Sequence, residues 1–264
     1  MASFPRVGIV GGNGWIGGAL ARALVETGVT PASALTLSCR SAPPDWLAEA
    51  RWTNDNQALA DASDIVVLSV RPQDWPAVEL RAEGKLVVSV MAGVPLADIA
   101  ARTGTSRVVR ALPNAGAEVR RSYTPWAATP EITAADRVAL RDLVAAIGSG
   151  DELAEEAAIV YMTGLSGTGP AYPALLAAAL IRDAVAHGLP VEVARRSVIA
   201  MLVGTGRLLE KTGEDPETTV AAFVDYRGVT AAGIHAMRAR GFDEAVAAGL
   251  AAALETSLAL AAPK

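Results

Sequence analysis

The chain has 264 residues, of which 52% are hydrophobic and only 19% charged, and a net charge of −5. That balance supplies the core of one large domain or two modest ones, and with no basic cluster it speaks against a nucleic-acid partner. One cysteine, Cys39, and two histidines, His187 and His235, exclude an intrachain disulfide and a thiolate or His-rich metal site, so no metal is expected.

The first residues lead at once into an apolar strand, leaving no room for a signal peptide. No apolar run reaches the roughly 20 residues of a bilayer span; the run over 174–180 is closed by Arg182 and Asp183. The expectation is a soluble, cytoplasmic protein with no membrane partner.

Residues 6–28 organise the first half. An apolar run over 7–10 reads as a buried strand. It enters Gly12-Asn13-Gly14-Trp15-Ile16-Gly17, after which Ala19, Leu20, Ala23 and Leu24 recur with helical spacing up to Gly28. Strand, glycine turn and helix in that order form a dinucleotide-binding signal: Gly12 for the tight turn, Gly14 for approach to a pyrophosphate, Gly17 for close helix packing. The helix N-terminus adds N–H groups and partial positive charge. A second strand over 34–39 ends in Arg40-Ser41. An NAD site usually carries an acid here to accept from the ribose 2′-hydroxyl, but the first acid is Asp45. Arg40 and Ser41 suit a 2′-phosphate, so NADPH is favoured over NADH. Cys39 reads as a small buried hydrophobe at the strand end.

Residues 52–59 read as a short strand and turn. The runs over 65–70 and 86–90 are apolar enough for strands buried on both faces, and 107–111 reads as another strand. They end in Val70-Arg71-Pro72-Gln73, in Ala92-Gly93 and in Pro113-Asn114. Strands alternating with connections predict a doubly wound parallel sheet, whose ligands bind beyond the strands' carboxyl ends. Those endings therefore converge on one crevice, where Ala92 and Gly93 leave space for a flat nicotinamide. Residues 123–128 read as a sixth strand, and a helix over 134–147 closes the domain near 148–150. The predicted fold class is α/β: a Rossmann-like, doubly wound dinucleotide-binding domain over 1–150, then an all-α substrate and dimerisation domain over 151–264.

In the second half the Gly-rich stretch 163–169 precedes Pro170, a residue suited to a helix's first turn. Helices are predicted over 171–186, 193–211, 229–240 and 243–262, with breaks at 213–216 and 225–228. They are Ala-rich and apolar on more than one face, so they need partners beyond a single core, and a homodimer or higher homo-oligomer is expected.

Taken together, these motifs resemble the pyrroline-5-carboxylate reductase family over nearly the full length. The resemblance is carried by Gly12-Asn13-Gly14, Ser69-Val70-Arg71-Pro72-Gln73, Ser89 to Gly93, Pro113-Asn114, Ser166-Gly167-Thr168-Gly169-Pro170-Ala171-Tyr172, His187-Gly188-Leu189-Pro190 and Thr230-Ala231-Ala232-Gly233-Ile234. It implies reduction of a cyclic imine carboxylate to proline with NAD(P)H, an N-terminal Rossmann-like domain and a helical dimerisation domain. It places Asn56, Arg71, Ala92 and Asn114 near the cofactor, and Thr230 where a hydroxyl contacts the substrate nitrogen. Three positions depart from the family pattern. The usual Lys before Pro-Gln is Arg71, and the Thr-Pro after Pro-Asn is Ala115-Gly116. The Ser-Pro-Gly-Gly-Thr-Thr loop, which helps hold the substrate carboxylate, reads Asp225-Tyr226-Arg227-Gly228-Val229-Thr230. Asp225 would set an anion beside an anion unless Arg227 neutralises it; its other reading is a cap for the next helix.

The expected reaction is hydride transfer to an imine carbon, with Thr230 hydrogen-bonded to the nitrogen and water as proton source. N–H groups around Gly228 and Val229 would hold a carboxylate. Alternatives are a related imine without the carboxylate and a non-catalytic NADPH-binding regulator. A β-hydroxyacid dehydrogenase needs a Lys inside the helical domain, and the second half holds only Lys211 and Lys264, at a helix end and the chain end.

Overall fold

The computed structural model describes residues 5–40 and 44–261. Ser41 lies outside the described residues. The chain divides into two compact units, one of Met1–Thr168 with Ala253–Lys264 and one of Gly169–Ala252.

The first unit is built on a seven-stranded sheet. Its chain order is β1 (Val7–Val10), α1 (Trp15–Glu26), β2 (Leu35–Ser38), β3 (Arg51–Thr53), α2 (Asn56–Asp61), β4 (Ile65–Leu68), β5 (Leu86–Ser89), α3 (Leu96–Thr103), β6 (Val108–Ala111), β7 (Ser122–Tyr123), β8 (Trp126–Ala128), α4 (Ala134–Ile147), β9 (Gly148–Ser149) and α5 (Ala157–Met162). The spatial order is β3-β2-β1-β4-β5-β6-β8. The six strands from β3 to β6 run parallel, and their order reverses between β1 and β4, the switch point of a doubly wound fold. Alternate strand residues face opposite sides. Ile9, Leu37, Val67 and Val88 pack with α1 and α4, while Val10, Val66, Leu68 and Val87 pack with α2 and α3.

Several expectations need correction. Residues 123–128 do not form one strand: Pro125 interrupts it. β7 pairs with β9 in a separate two-stranded sheet, and β8 joins the large sheet antiparallel to β6. Residues 52–59 do not end in a turn. Asp55 accepts from the N–H groups of Gln57 and Ala58 and starts α2. Cys39 is half-buried just past β2 rather than in the core. Arg110 breaks the apolar pattern of β6 and is only 4% exposed. Its Nη1 donates to Glu156 Oε1 at 2.9 Å, an oxygen that also accepts from the Leu96 N–H at 2.9 Å.

The Gly-rich stretch after α5 is helical. Thr163–Gly167 forms a π-helical turn, in which the Thr163, Ser166 and Thr168 hydroxyls donate back to the carbonyls of Ile159, Met162 and Gly164.

The second unit contains α6 (Ala171–Ala186), α7 (Val191–Thr212), α8 (Pro216–Asp225), α9 (Val229–Ala239) and the start of α10 (Phe242–Ala261). The predicted helices do not include α8, although Pro216 occupies its first turn. Among the described residues, the apolar side chains this unit buries are Ala177, Ala194, Val198 and Ala231. Larger ones, including Leu175, Ile199, Val203 and Phe223, are exposed. Among the described residues no helix is long and apolar enough to cross a membrane.

Candidate functional site

The carboxyl ends of β1 and β4 open into a cleft of about 770 Å³. Its floor is the glycine turn. Gly11, not Gly12, carries the left-handed backbone, with φ +82°. A Cβ at Gly11 would collide with the Ser69 carbonyl at the end of β4. The Gly14 N–H donates to Gly11 O at 2.9 Å, closing the turn. A Cβ at Gly17 would lie 2.5 Å from Gly11 O, so α1 seats directly on the turn. Gly14 caps α1 without any side-chain hydrogen bond, and no acidic residue occupies the first helical turn. That end of α1 presents N–H groups and positive potential to the cleft. This is a cradle that any side chain would fill, and it suits a pyrophosphate.

Polar side chains line the rim. Asn56 begins α2, and its Oδ1 accepts from Ser38 Oγ at 2.7 Å, which fixes its amide. Arg40 leaves the end of β2, and Arg71 leaves the end of β4. Both guanidiniums reach one carboxylate, Asp74. Arg71 Nε lies 2.9 Å from Asp74 Oδ2, and Arg40 Nη2 lies 3.4 Å from the same oxygen. Hydrogen bonding from Arg71, with the nearby Arg40 charge, outweighs burial and holds the Asp74 carboxyl below the usual carboxylate range; the same pairing raises the Arg71 guanidinium. Two guanidiniums on one carboxylate leave a net positive rim.

The cleft thus brings together Asn13, Gly14, Trp15, Arg40, Asn56, Val70 and Arg71 of the sequence-predicted residues. Gly12, Ile16, Pro72, Ala92, Gly93 and Asn114 are not among its lining residues. Gly12 is buried and its N–H donates to Ser38 O at 2.9 Å. Ile16 is on α1, and Pro72 starts the short 3₁₀ segment Pro72–Ala77. Ala92 and Gly93 follow β5 and are half-buried. Asn114 is buried past β6, where its Oδ1 accepts from the Gly116 N–H and its Nδ2 donates to Ser166 O. Ser38, Cys39, Asn54, Ser69, Asp74, Ala77 and Val78 line the cleft without having been predicted. For Asp74 a signal existed: it stands three residues after Arg71, in the first turn of a segment that Pro72 opens.

Around Thr230, Asp225 is the last residue of α8 and does not cap the next helix; that cap is Gly228, at φ +90° and with no side-chain hydrogen bond. Gly228, Val229 and Thr230 are exposed at the start of α9. Arg227 holds φ +60°, a left-handed conformation rare outside glycine. Among the described residues no group of three or more His, Cys, Asp and Glu is placed to hold a metal.

Comparison with known proteins agrees with this architecture. A family model described as pyrroline-5-carboxylate reductase dimerisation matches residues 156–260. One described as NADP oxidoreductase, coenzyme F420-dependent, matches residues 6–93. The pyrroline-5-carboxylate reductase of Synechocystis sp. is 30% identical over 259 residues, covering 96% of this chain and 97% of the relative. The Pseudomonas aeruginosa reductase is 35% identical over 212 residues, 78% of this chain and 77% of that one. A solved pyrroline-5-carboxylate reductase from Coxiella burnetii superposes with a TM-score of 0.90 at 26% identity, covering 99% of this chain and 100% of that chain.

Proposed function

This chain belongs to the pyrroline-5-carboxylate reductase family, and on that premise we propose that it is an NADPH-dependent imine reductase converting 1-pyrroline-5-carboxylate into proline. The observation that carries the cofactor half is the Gly11–Gly14 turn at the sheet's switch point, rimmed by Arg40 and Arg71. Reduced nicotinamide supplies the hydride for the C=N carbon. The N–H groups of Gly14, Trp15 and Ile16 hold the pyrophosphate. Arg40, Ser41 and Arg71 hold the 2′-phosphate, and Asn56 orients the adjoining ribose. Gly12, Asn13, Val70, Pro72, Ala92, Gly93 and Asn114 complete the cofactor site. NADH, without the phosphate, leaves both guanidiniums unused and is the poorer donor.

The Thr230 hydroxyl hydrogen-bonds the imine nitrogen, and water delivers the proton, which a readily protonated imine accepts without a stronger acid. Gly228 and Val229 hold the carboxylate through the N–H groups that open α9, with Arg227 offsetting Asp225. Support for these roles comes from the family resemblance and from the exposed start of α9. The division of labour follows the chain: residues 1–150 bind the cofactor, and residues 151–264 bind substrate and form a homodimer or larger homo-oligomer. A cytoplasmic location belongs to the same reading.

A second reading rests on one observation: Asp225 and Val229 replace the family's Ser and Thr, which favours an imine without a carboxylate. NADPH oxidation separates the two when 1-pyrroline-5-carboxylate is compared with carboxylate-free pyrroline and with piperideine analogues. The first reading expects the carboxylated five-membered ring to turn over fastest, and faster turnover of carboxylate-free pyrroline overturns it. Thr230→Val is expected to lower kcat/KM by about tenfold or more, the loss of one hydrogen bond formed at the reacting centre.

A further inference from the structure

Asp74 has no role in the reaction as described, yet it occupies the cationic edge of the cleft. Its carboxylate lies against both Arg40 and Arg71, and among the described residues no other acid lines the cleft. Its position has two opposed effects. As a shared partner it gathers two long side chains that would otherwise repel each other. As an anion it competes for the donors that a phosphate would use.

Exposure decides between them. The Arg40 side chain is 82% exposed and meets Asp74 only at 3.4–3.5 Å. A pair that open and that long orders its partners weakly. Arg71 is held closer, but its side chain is 66% exposed as well. A dianionic phosphate bound at the same two guanidiniums, by contrast, meets the Asp74 carboxylate as a like charge and has to share both cations with it, a penalty that doubles with the phosphate's second charge. The competitive effect therefore exceeds the ordering effect.

We infer that Asp74 is a positioning residue that limits discrimination between NADPH and NADH, acting as an internal anion that shares Arg40 and Arg71 with the 2′-phosphate. This rests on the NADPH reading above. The cationic rim is built for a phosphate and partly offset by a carboxylate of the protein itself, which keeps the grip reversible.

The test is equilibrium binding, by calorimetry or by quenching of the tryptophan fluorescence, to which Trp15, 67% exposed on the cleft, contributes. NADPH, NADH and adenosine 2′,5′-bisphosphate are titrated against the unsubstituted chain, Asp74→Asn, Arg40→Ala and the double variant. Asp74→Asn is expected to tighten NADPH and the bisphosphate by about threefold to tenfold, the scale of one exposed charge interaction, with NADH changed by less than about twofold. In the Arg40→Ala background the gain shrinks, because half of the shared pair is gone. The salt dependence of NADPH binding steepens in Asp74→Asn, which a loss of local packing would not produce. Weaker NADPH binding in Asp74→Asn, or an equal change for NADH, overturns the inference. Should Asp74→Asn unfold, Asp74→Ser carries the same expectations. If the unsubstituted chain binds NADPH no better than NADH, the cofactor reading itself falls, an outcome visible before any variant is compared.

Discussion

Arg227 holds φ +60°, a left-handed conformation that glycine adopts without penalty and an arginine does not. The family pattern, as read from the sequence, has glycine at this place. A left-handed non-glycine residue costs roughly 1 kcal/mol. Arg227→Gly is therefore expected to stabilise the protein by about 1 kcal/mol less the roughly 0.4–1 kcal/mol of chain entropy that glycine adds, a rise of no more than about 2 °C in Tm by calorimetry. If Arg227 offsets Asp225 for a carboxylated substrate, the same variant also raises KM for that substrate alone. Other residue-scale facts were hidden in the sequence for definable reasons. Gly11 and Gly12 are adjacent, and a motif cannot say which of two glycines takes positive φ; in the structure it is Gly11, whose missing Cβ also leaves room for the Ser69 carbonyl that follows the neighbouring strand. Arg110 is buried because Glu156 meets it, 46 residues away, a separation that no local pattern encodes. The Asp74 bridge to Arg40 likewise spans 34 residues, though its bridge to Arg71 is local.

Among the elements, the long periodic ones were legible. β1, β2, β4 and β5 and the helix α4 lie where apolar runs and helical spacing put them. Short elements were not, because their signals come from caps and pairing. α2 depends on the Asp55 side chain, β7 on its pairing with β9, and β8 on its antiparallel pairing with β6 once the chain has passed Pro125. α4 shows how such a cap is wired into the sheet. Thr133 and Asp136 form a capping box. Asp136, side chain 7% exposed, also pairs with Arg107 before β6, whose Nε donates at 3.0 Å. Burial pushes the Asp136 carboxyl up, but hydrogen bonds from Arg107 and from Thr133 prevail and hold it below the usual range. A depressed carboxyl stabilises the fold at neutral pH; this contribution declines as pH falls through the ordinary carboxylate value near ~4 towards the lower folded value. Asp136→Asn is expected to cost about 2–3 kcal/mol at pH 7, and the gap to the parent is expected to narrow below pH ~4, read from urea unfolding across pH.

For the molecule as a whole, the two units differ in what they bury. The first has cores on both faces of its sheet. The second buries three alanines and a valine among its described residues while large apolar side chains stand exposed on several helices. The Ala-rich composition, read as a need for partners, and the dimerisation model that matches residues 156–260 agree with this imbalance. Light scattering after size exclusion is expected to give at least twice the mass of one chain. Leu175→Glu combined with Val203→Glu is expected to lower that mass towards a single chain, while NADPH binding to the first unit persists. An unchanged mass in that variant places the contact elsewhere on the helices.

The poverty of that second interior has a consequence for how the protein comes into being. A newly synthesised copy can finish its sheet unaided, but its later helices find little to shelter them until a sibling arrives. Maturation is then a second-order event, slow when copies are scarce and quick once they accumulate. Solitary copies spend that interval exposed to proteases and to stray association, so the supply of active enzyme rises more steeply than the supply of chain.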